Sequence, residues 1–251
     1  MVEMLSSPEF WIGLGVIIWV NIILSGDNAV VIALAARSLP ARQQKQAIFW
    51  GAAAAVVLRI VLTIVAVELL RLPYLKLIGG ALLFWIAVKL LIPEDGDDDD
   101  VASSSHLLEA IKTILIADLV MSLDNVIAVA AVAKGSVVLL VLGLLISIPL
   151  VVYGATLLMK LMERYPVIIT IGAALIGYVA GEMLVTDPIV IGWFESNAHW
   201  MIDFEVFSVF GYKFELSGAG LIGVVLAVAA GKWLAKRKEG AAPQAPADVP
   251  K

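Results

Sequence analysis

Three aspartates, Asp27, Asp118 and Asp124, lie within apolar stretches of this 251-residue chain, each accompanied by Ser or Asn at helical spacing. An ionised carboxylate in hydrocarbon is costly, and such residues usually mark ion or proton pathways. Residues 21–28 read Asn-Ile-Ile-Leu-Ser-Gly-Asp-Asn, and residues 118–125 read Asp-Leu-Val-Met-Ser-Leu-Asp-Asn. The offset is 97 throughout, pairing Ser25 with Ser122, Asp27 with Asp124 and Asn28 with Asn125. A buried Asp satisfied by nearby Ser and Asn is the plain structural alternative. It would suffice for one Asp, but the same Ser-x-Asp-Asn in two related segments argues against it.

The chemistry follows from the donor types. The chain has no Cys and two His, His106 and His199, both near expected loops. Thiolate sites, disulfides and Cys nucleophiles are therefore excluded, and a His-rich zinc or copper site is disfavoured. Carboxylate, carboxamide and hydroxyl oxygens make a hard donor set suited to Mn²⁺, Mg²⁺ or Ca²⁺. Two or three carboxylates balance a 2+ charge. Emptied, they would need protons to avoid mutual repulsion, which makes proton exchange a natural coupling. The candidate ligands are Asp27, Asn28, Asp124, Asn125, Asp118, Asn21, Ser25 and Ser122. No tightly held cofactor is expected; the cation would be cargo.

On a helix, positions 21, 25 and 28 share a face, as do 118, 122 and 125. Asn21, Ser25 and Asn28 form one polar stripe, and Asp118, Ser122 and Asn125 the other. Asp27 and Asp124 fall about 100° away if the helices are regular. Gly26 is placed to loosen the first helix and free carbonyls as further ligands.

The elements that carry these stripes are membrane spans. Sixty-one per cent of residues are hydrophobic, 16% are charged, and the mean hydropathy is +0.99. A soluble fold could not cover so much apolar surface. Seven stretches approach the roughly 20 apolar residues of a spanning helix: 10–36, 47–70, 74–92, 108–133, 136–159, 166–186 and 216–234. The first lacks a basic flank and a small-residue cleavage signal, so it reads as a retained span. Arg37, Arg42 and Lys45 place the first loop in the cytoplasm and the N-terminus outside. The resulting topology puts twelve Lys and Arg inside and four outside, with the C-terminus cytoplasmic.

A second, weaker match pairs Pro73 through Leu83 with Pro166 through Ile176. Helices one to three and four to six then read as copies of one unit. Three is odd, so the second copy enters from the opposite side, an inverted repeat of the kind secondary transporters use. The expected fold is an all-α polytopic membrane protein: a 3+3 inverted repeat plus a seventh helix. The divisions are a first repeat (1–92), an acidic cytoplasmic linker (93–107) and a second repeat (108–186). An external aromatic loop (187–215), the seventh helix (216–235) and a cytoplasmic tail (236–251) follow. The inversion puts Asp27 and Asp118 toward the cytoplasm, and Asp124 and Asn21 toward the outside.

The net charge of −5 owes much to the run Glu94-Asp95-Gly96-Asp97-Asp98-Asp99-Asp100, which reads as a solvated linker. No basic nucleic-acid footprint exists. The aromatic loop should lie along the interface, and the tail from Ala241 should be disordered. Segment seven opens with Ser217-Gly218-Ala219-Gly220, small residues that permit close helix packing. Among other charges, Glu68 reads as an i,i+3 partner of Arg71, and Lys89 as a snorkelling anchor. Arg59 lies deep enough to neutralise a carboxylate, as structure or as function. Glu182 reads equally as a pathway carboxylate or an interface residue.

These residues resemble the TerC family of integral membrane proteins. The likeness rests on Ser25-Gly26-Asp27-Asn28-Ala29, on Ser122-Leu123-Asp124-Asn125-Val126, and on Leu72 through Gly80 between them, and covers about residues 8–235. The family resembles a branch of the LysE-type transporter superfamily. The resemblance implies Mn²⁺ efflux, metal supply to exported proteins, or tellurite resistance, with Asp27 and Asp124 as ligands beside Asn28 and Asn125. The leading expectation is a secondary transporter exporting a divalent cation, Mn²⁺ first, across the inner membrane. The expected partners are the bilayer, the ion, another copy of the chain, and exported metalloproteins. The alternatives are an exporter of a tellurium oxyanion or an amino acid, and an intramembrane aspartyl protease. Anion transport would want basic groups at the centre, where Arg59 alone is available. The protease patterns Tyr-Asp and Gly-x-Gly-Asp are absent, since Asn follows Asp in both copies.

Overall fold

A computed structural model describes residues 8–23, 26–69, 72–92, 100–133, 137–209 and 212–241. The helices among them are α1 (Pro8–Ile23), α2 (Gly26–Ala36), α3 (Ala41–Leu69), α4 (Leu75–Lys89) and α5 (Asp100–Ala133). They continue with α6 (Val137–Arg164), α7 (Val167–Val185), the short α8 (Ile191–Asn197) and α9 (Gly218–Ala241). Proline marks several starts: Pro8 opens α1, Pro40 precedes α3 and Pro166 caps α7. At these positions its missing N–H costs nothing. Ser217 caps α9, its Oγ accepting the Gly220 N–H at 3.1 Å.

Four of the described helical stretches are long and apolar enough to cross a membrane: Ala41–Thr63, Val141–Arg164, Val167–Val185 and Gly218–Lys238. Two shorter apolar stretches, Phe10–Trp19 and Gly26–Ala36, lie in α1 and α2. The outward surface is itself apolar, with Trp11, Trp19, Trp50, Val57, Trp85, Tyr153, Ile171 and Val225 exposed. Asn28, Arg59, Asp118 and Ser122 are buried instead. A surface of this kind suits a hydrocarbon solvent and would aggregate in water.

The helices interlock in a regular way. The closest packing against α3 comes from α5, while α6 packs against α1 and α2. α4 packs against α7, α2 against α7, and α4 against α5. Exchanging α1 with α2, α3 and α4 for α5, α6 and α7 respectively leaves this set of partners unchanged. Glycines repeat the pattern. A Cβ at Gly79 of α4 would lie 2.7 Å from Val120 on α5, and one at Gly172 of α7 would lie 2.8 Å from Val30 on α2. Gly79 and Gly172 occupy matching places in the Pro73 and Pro166 segments.

α9 lies against α7 and α4. Its small residues allow backbone contact: a Cβ at Gly181 would collide with the Ala219 carbonyl, and one at Gly177 would lie 2.8 Å from the Gly223 carbonyl oxygen. The core has one large cluster that spans α2 to α7 and reaches Ala227 of α9, with Leu34, Ile48, Leu83, Ile86, Ile114 and Ile176 fully buried, and a smaller one around Phe10, Leu14, Ile17, Val56, Leu139 and Leu144.

Two elements differ from expectation. α5 begins at Asp100, well before residue 108, so the end of the acidic segment is helical. A helix can project beyond the apolar zone where water serves its backbone, and an acidic residue suits its N-terminus. The segment after α7 holds α8, a 3₁₀ turn (His199–Met201) and an antiparallel hairpin, β1 (Phe204–Val209) with β2 (Tyr212–Leu216). The polar residues Glu205, Lys213 and Glu215 alternating with apolar ones carried that signal, which the aromatic content obscured.

Candidate functional site

α2 brings Asp27 and Asn28 to its first turn. The Asn28 N–H donates to Asp27 Oδ1 at 2.8 Å. The Asp27 residue is half-buried and Asn28 is 3% exposed. Among the described residues, neither Nδ2 nor Oδ1 of Asn28 has a hydrogen-bond partner. A buried amide left in that condition costs on the order of 1–3 kcal/mol, so it calls for an explanation.

α3 and α5 supply the second cluster. Arg59 Nη2 donates to Asp118 Oδ1 at 2.6 Å, and Arg59 Nε donates to Ser122 Oγ at 3.0 Å. Ser122 Oγ donates in turn to Asp118 Oδ2 at 3.3 Å. All three residues are buried, at 3%, 6% and 0% exposure. Asp118 and Ser122 stand one turn apart on α5, which is why one guanidinium spans both. Asp27 lies within the electrostatic field of both Arg59 and Asp118. The structure thus draws Asp27, Asn28, Asp118 and Ser122 toward one region, with Arg59 as an added member.

The remaining candidates are only partly placed. Asn21 belongs to α1, and Asp124 and Asn125 to α5, but their side chains lie outside the described residues. Ser25 lies outside them altogether, as do Arg71 and the run 94–99, and so does the Glu68 side chain. Among the described residues no group of three or more His, Asp or Glu converges as a ready metal cluster.

Cavities flank the region. One of about 250 Å³ lies between α4, α5 and α7, lined by Lys76, Val120, Met121, Glu182, Met183 and Thr186. Glu182 lines this cavity together with Val120 and Met121, which precede Ser122 in sequence. Another, of about 460 Å³, is lined by Arg37, Ser38, Met159, Glu163, Thr170 and Lys232. It opens at the other ends of α4 and α7. Lys89 pairs with Glu109 of α5, and its Nζ lies 5.4 Å from the Trp85 ring centre.

One polar residue escaped sequence reasoning. Asp187, fully buried, follows α7 and accepts the N–H groups of Lys76 (3.1 Å) and Leu77 (3.2 Å), at the start of α4. It also accepts those of Ile189 (3.0 Å) and Tyr74 (3.4 Å). Burial alone would raise its carboxyl; the donors from Ile189, Leu77, Tyr74 and Lys76 outweigh it and hold the group below the usual carboxylate range.

Comparison with known proteins places this arrangement. The profile of the Integral membrane protein TerC family matches residues 6–239, both motif copies included. The chain belongs to the TerC family. Within it, the chain is 46% identical to the Uncharacterized membrane protein YjbE of Bacillus subtilis (strain 168), over 71% of this chain and 82% of that one. It is 26% identical to YceF of the same organism, over 72% and 74% of the two chains. It is also 26% identical to the UPF0053 inner membrane protein YgdQ of Escherichia coli (strain K12), over 64% and 75%. No solved structure matches it significantly. This TerC member is an integral, multi-pass, predominantly helical membrane protein.

Proposed function

We propose that this TerC protein is a secondary transporter that exports a hard divalent cation, Mn²⁺ first, across the inner membrane. The observation that carries the reading is Asn28: a buried carboxamide without a hydrogen-bond partner among the described residues, adjoining the Asp27 carboxylate in the first motif. Its oxygen and that of Asp27 are the donors a Mn²⁺ or Mg²⁺ ion prefers. Asp124 and Asn125 supply the matching pair from α5, and Asn21, Ser25, Asp118 and Ser122 complete the polar centre.

The architecture proposed is seven spans, a 3+3 inverted repeat plus α9, with the N-terminus outside. The exchange-symmetric packing and the matching contacts of Gly79 and Gly172 support it. The inner-membrane name of YgdQ supports the location. In an inverted repeat the cavities at the two ends of α4 and α7 become alternating approaches to one centre. Oxyanion export is disfavoured, because Arg59, the one buried basic residue among the described residues, is bound to Asp118.

The test is cellular metal content under excess Mn²⁺. Cells carrying the protein should hold less Mn²⁺ and grow better than cells without it, and Asp27→Ala or Asp124→Ala should abolish the difference. Equal Mn²⁺ content with and without the protein would defeat the proposal.

A further inference from the structure

We infer that Arg59 is a built-in counter-ion, which cancels the charge of Asp118 so that the cation centre presents the net −2 of Asp27 and Asp124. This rests on the reading of the motif aspartates as cation ligands, and it removes Asp118 from the ligands themselves.

Two independent observations meet here. The first is geometric. Asp118 spends both carboxylate oxygens on Arg59 and Ser122, and Ser122 Oγ also receives Arg59 Nε. At 3% and 6% exposure neither charge is solvated, so each needs the other. A carboxylate held in this way has little freedom to join a metal shell.

The second is the way the two copies differ. Asp118 stands where the first copy has Asn21. Arg59 reaches it from α3, and the repeat-related contact is that of α6 with α1. The two offsets in the sequence, 93 and 97, carry position 59 to between 152 and 156. Those residues are Val152, Tyr153, Gly154, Ala155 and Thr156, none of them charged. The second copy therefore adds a negative charge at Asp118 and the first adds a positive one at Arg59, while the repeat-related positions, Asn21 and 152–156, carry neither. The asymmetry amounts to one ion pair added to the sequence-symmetric aspartates Asp27 and Asp124. Asp27 interacts electrostatically with both members of that pair, so the balance between them contributes to the field at the first motif.

The experiment measures Mn²⁺ binding to the purified full chain by calorimetry, with thermal unfolding in parallel. Asp118→Asn removes the carboxylate charge bonded to Arg59 and should weaken Mn²⁺ binding about tenfold or more. Arg59→Met leaves an extra carboxylate and should bind Mn²⁺ at least as tightly as the parent. The double variant Arg59→Met/Asp118→Asn should return to within about threefold of the parent, since a neutral pair has been exchanged for neutral groups. A purely structural pair would lower the unfolding temperature in both single variants without moving affinity in opposite directions. Should Arg59→Met fail to fold, Asp118→Glu, which keeps the charge, should still bind within about threefold of the parent. Equal weakening in Asp118→Asn and the double variant would make Asp118 a ligand and overturn the inference. Unchanged affinity in all variants, or a loss in Asp118→Glu as deep as in Asp118→Asn, would overturn it too. A parent protein that binds no Mn²⁺ would overturn the transport reading and this inference together.

Discussion

Asp187 caps, from the end of α7, the helix that begins just after Tyr74. Tyr74 takes a left-handed conformation, φ 66°, has no side-chain cap bond of its own, and turns its N–H toward Asp187 Oδ1 at 3.4 Å. The first turn of α4 thus finds its acceptor more than a hundred residues away in sequence. Asp187→Ala removes that acceptor from several buried donors. It should cost on the order of 1–3 kcal/mol, read as a lower unfolding temperature in detergent.

The same carboxylate makes stability depend on pH. Its folded pKa lies below its unfolded value of about 3.9. Its contribution is therefore fully present above that value and is lost as pH falls through the folded one. The gap in unfolding temperature between the parent and Asp187→Asn should be constant from about pH 7 to about pH 5 and narrow below about pH 4. A gap that widened toward acid would contradict the account.

Tyr74 itself carries a backbone cost. A left-handed conformation costs a residue with a Cβ about 1–2 kcal/mol, and the Tyr74 side chain is 53% exposed. Tyr74→Gly should be neutral or stabilising by up to about 1 kcal/mol, whereas the β-branched Tyr74→Val should destabilise. Paired thermal scans of the two variants decide the matter.

The predominantly helical, membrane-embedded character was legible in the sequence. The Ser-x-Asp-Asn copies at Asp27 and Asp124, and the run of small residues after Ser217, are short-range patterns whose physics is local. The capping role of Asp187 was not legible, because the groups it serves at Lys76 and Leu77 come from a distant part of the chain and leave no mark beside it. Arg59 stood between the two cases. Its depth in the second apolar stretch signalled a buried charge needing a partner, but only the packing of α3 on α5 showed Asp118 to be one. The hairpin at 204–216 was hidden by its aromatic residues, which fit an interfacial segment as well as a pair of strands.

Close packing of α7 against α9 yields a graded prediction. Gly181→Ala sets a Cβ against the Ala219 carbonyl, a backbone group that cannot rotate away, while Gly15 has nothing within 4 Å of an added Cβ. Gly181→Ala should lose about 1–3 kcal/mol through overpacking. Gly15→Ala should be neutral or slightly stabilising, since Ala favours the helix. Folded yield and unfolding temperature of the two variants, purified side by side, check the contrast.

The most direct measurement is Mn²⁺ flux in proteoliposomes holding the purified chain, with Asp27→Asn and Asp124→Asn alongside. The account calls for Mn²⁺ movement that depends on the protein and falls at least about tenfold in each variant, since each removes one charged ligand from the dication. Flux that was absent in the parent, or that persisted undiminished in both variants, would contradict the central claim that these two aspartates carry the ion.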